Sequence, residues 1–200
     1  MITPDINKAV KEAVKIAKDN SHGYDQLTRT SGVDYDCSSL VAHCLISGGF
    51  NVDKNSTTRT LYNQLIKEGF KDVTGEPLKK GDILLTPGKH TVIASTAKKV
   101  VTASINEKGT ATGGKKGDQT GREIYIRDYY KPSYGWTYHL RYFKNVSRET
   151  SLKDDKYYNI ACDVINGKYG NGAKRKIKLG AKYKAVQKLV NKILKNGGIT

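Results

Sequence analysis

Three cysteines (Cys37, Cys44, Cys162) and four histidines (His22, His43, His90, His139) bound the chemistry open to this 200-residue chain. The cysteines are odd in number and form no CxxC pair, and the histidines form no HxxxH or HExxH pattern. A disulfide scaffold and a zinc site are therefore both without support, and no metal or organic cofactor is expected. Nucleophilic catalysis remains. Cys37 lies in DYDCSSLVAHCL, where the apolar spacing of Leu40, Val41, Cys44 and Leu45 predicts a helix ended by Gly48-Gly49. A thiol in the first turn of a helix faces unpaired backbone N–H groups and the positive end of the helix dipole. Such a thiol is expected to have a lowered pKa and to react as the thiolate. His90 opens the apolar run HTVIA, a predicted strand. An imidazole there has the chemistry to take the thiol proton and return it to a leaving amine. Cys44 lies on the inward stripe of the helix and Cys162 in a small apolar stretch, so both read as core. His43 falls on another face of the helix, His139 alternates within a strand, and His22 borders Gly23-Tyr24 at the edge of a prospective cleft.

The elements that must hold these groups follow from the periodicity. Thr3-Pro4-Asp5 looks like a helix start, with Thr3 as cap, and Ile6, Ala9, Val10, Ala13, Val14 and Ala17 recur at helical spacing to about Asp19. A further helix is expected from Arg59 to Gly69. Short strands are expected at Ile83–Leu85, His90–Ala94, Val100–Ser104, Glu123–Tyr130 and Gly135–Tyr142, the last two closing the sheet. The Gly/Thr/Lys-rich stretch 106–121 reads as a long exposed loop that binds or gates. Helices followed by an antiparallel sheet make an α+β layer domain over residues 1–145. Residues 146–156 read as a linker, and 157–200 as a small three-helix bundle with helices at Tyr158–Ile165, Ala173–Leu179 and Tyr183–Leu194.

The formal charge is +16, from 35 Lys and Arg against 19 Asp and Glu. Residues 153–200 carry 12 Lys and Arg against 3 Asp, so the basic bias is concentrated in the small bundle. An anionic partner is implied: nucleic acid, acidic lipid or the polyanionic wall of a Gram-positive cell. Nucleic acid is disfavoured because no basic surface interleaved with aromatics and no recognised motif occurs. No run of 18 or more apolar residues is present, so membrane insertion is not expected. Charge interrupts the first residues every few positions, against a secretory signal.

The joint pattern DCSSLV, GDILL, HTVIA, with SHGYDQ before it and GTATGG…GDQTGREI after it, resembles the NlpC/P60-type peptidoglycan hydrolases over about residues 5–143. Within that family it is similar to the bacteriophage peptidoglycan amidohydrolases, the endolysins. The resemblance implies a papain-like fold with Cys37 as nucleophile and His90 as base. It implies Asp36 and Ser38 as substrate-positioning neighbours, and Tyr24 as the tyrosine lining the site near the oxyanion. A third polar residue, usually His, Asn or Gln, orients the histidine from about twelve positions on. Here Thr102 stands in that register. Three alternatives follow: a dyad helped by Thr102, a substitute such as Asn106 reaching in, or a weakened enzyme.

The stretch ACDVINGKYGNGAKRKIKLGAKYKAVQKLVNKIL resembles the Cpl-7 (CW_7) cell-wall-binding repeat, implying recognition of the muropeptide part of peptidoglycan. Tyr169, Gly170, Asn171 and Arg175 lie in its signature turn as binding candidates; turn-shaping and bundle packing are the alternative for Tyr169 and the glycine. Together the two resemblances imply a phage-type hydrolase acting on the peptidoglycan of a Gram-positive host. It would accumulate in the host cytoplasm until lysis and then act at the wall. N-acetylmuramoyl-L-alanine amidase is the favoured activity. The alternatives are a stem-peptide endopeptidase, for instance one cutting after γ-D-Glu, and a non-lytic wall binder with a decayed site.

Overall fold

A computed structural model describes residues 4–143 and 156–195 of the chain, which divides into two compact units, Met1–Lys144 and Asn145–Thr200. Most of the expected linker, and Thr3, lie outside the described residues. Among those described, no helix is long and apolar enough to cross a membrane.

The first unit opens with helix α1 (Ile6–Ile16), whose cap is Asp5, not the expected Thr3: the Asp5 carboxylate accepts from the Asn7 N–H at 2.8 Å. Its buried stripe of Ala9, Val10, Ala13 and Ile16 packs on α2 (Cys37–Ser47). Helix α2 starts at Cys37 because Asp36 forms a capping box. The Asp36 carboxylate accepts from the Ser39 N–H at 2.7 Å, and the Ser39 hydroxyl faces the Asp36 N–H at 2.9 Å. Such caps are worth about 1 kcal/mol, and this one sets the register of Cys37 in the first turn. Helix α3 (Leu61–Lys67) is shorter than the sequence suggests, because Thr57–Thr60 turn before it begins.

Six antiparallel strands form one sheet: β1 (Phe70–Asp72), β2 (Ile83–Thr86), β3 (His90–Ala94), β4 (Lys99–Ala103), β5 (Ile124–Asp128) and β6 (Tyr138–Tyr142). Their order is β1-β6-β2-β3-β4-β5. The expected closing pair is thus corrected. β5 lies on one edge beside β4, whereas β6 returns across the sheet to pair with β2 and β1. β1 was not expected; three residues with one buried side chain carry no period, and pairing to β6 creates the strand. Alternation along the strands splits the sheet into two faces. Ile83, Leu85, Ile93, Val101, Ala103, Ile124 and Leu140 join α1 and α2 in the main core. Leu84, Val92, Ala94 and Val100 face the other way under Leu78, Tyr130 and Trp136.

The long segment before β5 is pinned, not free. Asp34 accepts from the N–H groups of Gly23 (3.1 Å) and Gly117 (2.9 Å), and Asp25 accepts from Gly113 (2.8 Å). A Cβ on Gly23 would sit 2.2 Å from the Gly117 carbonyl oxygen, so the two backbones close only because residue 23 has no side chain.

In the second unit, α4 (Tyr158–Ile165), α5 (Gly172–Leu179) and α6 (Tyr183–Lys195) enclose Ala161, Val164, Leu179, Val186, Leu189, Val190 and Ile193, with a 3-10 turn at Gly180–Lys182. The first unit, helices on an antiparallel sheet, makes the chain α+β, and the second unit is all-helical.

Candidate active site

Cys37 lies near the sheet beside the peptide bond joining His90 to Thr91, whose Thr91 N–H favours its thiolate form. The N–H groups of Ser38 and of Cys37 itself, at the open end of the helix, also favour the thiolate. Cys37 keeps 8% of its surface exposed, whereas Cys44 has none and is core. The expected lowered thiol pKa is reversed. Burial first, and the neighbouring Asp36 carboxylate second, push it up to about 12, outweighing the three N–H donors. The resting group is the thiol.

His90 begins β3, and its ring is oriented from β4. Nε2 lies 3.0 Å from the Thr102 hydroxyl, which lies 3.2 Å from that of Ser104. Of the two orienting residues considered from sequence, Thr102 therefore meets the ring. Asn106 does not: its carbonyl oxygen accepts from the Lys108 and Thr110 N–H groups, and its amide donates to the Thr112 carbonyl. The indole of Trp136 stacks near the imidazole with ring centroids 6.0 Å apart. Burial first, then the charge of Arg127, push the His90 pKa down to about 4, against an opposing pull from Asp36. Near neutral pH both thiol and imidazole are uncharged.

Tyr24 is buried, with its N–H donating to the Glu123 carboxylate at 2.9 Å and its hydroxyl accepting from Gln26 at 3.0 Å. Burial first raises its pKa to about 12, and the nearby Cys37 adds to the rise. Tyr134, which sequence reasoning did not single out, is half-exposed and also feels Cys37. Asp36 and Ser38 flank the cysteine but are engaged within the protein. Arg29 pairs with Asp36, reaches the Ser38 hydroxyl at 3.0 Å, and donates to the carbonyls of Asn55 (2.7 Å) and Ser56 (2.6 Å). Arg29 and Glu123 were both missed. Neither carries a spacing signal, because each acts by reaching a segment distant in sequence.

His22 bonds the Val33 carbonyl through Nδ1 (2.8 Å), His43 lies against Tyr35 and Glu12, and His139 is bound to Asp82 (2.6 Å). None joins Cys37. No group of three or more His, Cys, Asp or Glu side chains suited to a metal occurs among the described residues.

In the second unit, Arg175 closes the signature turn from inside. It donates to the Gly170 carbonyl (3.0 Å), the Asn171 side chain (2.9 Å) and Gln187 (3.1 Å), while Tyr169 packs on the bundle core. The packing of Tyr169 matches the bundle-packing alternative for that residue.

Cys37 opens α2 and His90 opens β3 in the first unit, and the second unit is small, basic and helical. The chain belongs to the endolysin-like domain family, whose model matches residues 16–99 and 100–176, and a CW_7 repeat matches residues 159–194. These matches support a peptidoglycan-targeting endolysin with a cell-wall-binding repeat. No curated protein matches the chain.

Proposed function

We propose that the protein is a cysteine-dependent peptidoglycan hydrolase with a papain-like site of the NlpC/P60 kind, cleaving an amide bond of the Gram-positive wall. The observation that carries this is the Thr91 N–H beside the Cys37 sulfur, one residue beyond a histidine whose ring lies 3.0 Å from the Thr102 hydroxyl. With Nε2–H donating to the Thr102 oxygen, the lone pair is on Nδ1, and His90 is in the tautomer of a base. As the sulfur attacks the amide carbon, its proton passes to Nδ1. The oxyanion faces the Cys37 backbone N–H, which has no intrahelical acceptor. Collapse expels the amine, protonated by His90, and leaves a thioester on Cys37. Water, deprotonated by the same imidazole, then releases the acid and restores the thiol. Tyr24 lines the oxyanion side; Asp36 and Ser38 position substrate by fixing the helix start and its loop.

The favoured bond is the one between the lactyl group of N-acetylmuramic acid and L-alanine. Mass spectrometry of digested sacculi tests it: free lactyl groups are expected, and new termini inside the stem peptide would show an endopeptidase instead. The basic second unit holds the enzyme on the wall, with Tyr169, Gly170, Asn171 and Arg175 shaping the recognition turn.

Thr102→Ala removes one neutral hydrogen bond worth about 0.5–1.5 kcal/mol, so the digestion rate is expected to fall roughly 2- to 12-fold. A loss as complete as that of Cys37→Ala, in the same turbidity assay, would make Thr102 an essential member.

A further inference from the structure

Next to the candidate site, β5 forms a cleft of about 470 Å³ lined by Arg122, Tyr125, Arg127, Asp128, Tyr129 and Tyr130. Its floor is continuous with the catalytic side of the sheet. Tyr125 is the register partner of Thr102 and Arg127 that of Val100, so both lie on the face that carries Thr102 and the His90 ring. Rings connect the two places. His90 stacks near Trp136, Trp136 meets Tyr130 edge-on at 5.7 Å, and Arg127 lies 3.9 Å over the Tyr130 ring. The Trp136 indole N–H, donating to the Tyr130 carbonyl at 2.9 Å, fixes this path.

The cleft carries more positive than negative charge: two guanidiniums against Asp128, whose carboxyl is held low by Lys99 first and also by Arg127. Its one carboxylate, Asp128, is engaged by Lys99 at 2.9 Å, and among the described residues neither Arg122 nor Arg127 forms an ion pair with a carboxylate. Arg127 lies over the Tyr130 ring and donates from Nη1 to the Tyr125 hydroxyl at 3.4 Å, and its remaining N–H groups are of the kind that pairs with a carboxylate. Resting on the hydrolase reading above, we infer that this cleft is a substrate subsite in which Arg127, helped by Arg122, binds a free carboxylate of the stem peptide near the scissile amide. The enzyme would then discriminate between walls whose peptide carboxylates are free and walls in which they are amidated. The phosphates of wall polymers share the negative charge, and the experiment separates the two sources.

The test uses soluble, phosphate-free disaccharide-peptides with the carboxylate either free or amidated, cleaved by the full chain. Wild type is expected to favour the free acid about tenfold, through KM. Arg127→Gln is expected to bring the ratio near one, and Arg127→Lys to restore part of it. Arg122→Gln, an exposed position, should reduce the ratio less. Equal use of both substrates by wild type would overturn the subsite, as would an Arg127→Gln variant that slows both alike. A preference seen only on walls still carrying phosphate polymers would assign the cleft to phosphate and overturn it too. Cleavage of neither substrate, with sacculi also left intact, would instead remove the hydrolase reading on which the subsite stands.

Discussion

His90→Ala is expected to lower the initial rate of wall digestion by about 10²–10⁴-fold, the range associated with removing a positioned general base. The loss should be large here because the resting thiol is neutral. Burial and Asp36 hold the Cys37 proton on, so no standing thiolate can attack once the base is gone. The same assignment fixes the acid side of the pH profile. His90 must be unprotonated to accept the proton, and its pKa is pushed down to about 4, so the rate should hold well below pH 6 and fall as pH drops through about 4. Initial rates on a soluble fragment, with folding followed by circular dichroism, check both points. An acid limb centred near 6.5, or a variant within a few-fold of wild type, would contradict the role. Stability runs in a consistent direction. A histidine whose folded pKa is lowered binds protons better unfolded, so acid destabilises the fold progressively from about pH 6.5 down to about 4.

Asp82→Ala is expected to unfold the first unit most readily of any single change on the second sheet face. Asp82 is fully buried and accepts from Arg141 through both oxygens (2.8 Å each), from His139 (2.6 Å) and from the Lys79 N–H (2.6 Å). Burial alone would raise its pKa, but Arg141 and His139 outweigh it and hold the carboxyl low. Its contribution is therefore present above the ordinary carboxylate range and lost as pH falls through the lowered value. Removing it strands a largely buried guanidinium that keeps only the half-exposed Glu76 and the Pro77 carbonyl. Breaking a buried pair from one side costs about 3–5 kcal/mol, or roughly 10 °C in melting temperature. Calorimetry of the full chain measures it; a shift below about 1 kcal/mol would show that Arg141 finds water or Glu76 at little cost.

How much of this was legible in the sequence depended on whether the determinant was local. The bounds of β3 and α4 followed from apolar runs and their breakers. The Cys37 helix followed from its stripe and Gly48-Gly49, and the His90 to Thr102 spacing came from the resemblance. The return of β6 to β2 was not legible, because alternation tells which face a residue takes and nothing about which strand lies beside it. The polarity of 106–121 gave a loop that is indeed mostly exposed, but not that Asp25, Asp34 and Asp118 accept from its backbone N–H groups and tie it down. The sign of the Cys37 shift was also hidden. A helix terminus lowers a thiol pKa, but how dry the sulfur is depends on the whole fold. Glu123, Tyr134 and Trp136 reach the site from far along the chain, and no spacing assigned them or Arg29 a role there.

The most direct measurement of the central claim is the clearing of Gram-positive cell walls by wild type and by Cys37→Ser, with wall binding of both followed by sedimentation. Wild type is expected to clear the suspension and release amide-cleavage products, and the serine variant to bind equally while releasing none. A Cys37→Ser protein that digests walls at the wild-type rate would show that this sulfur is not the nucleophile.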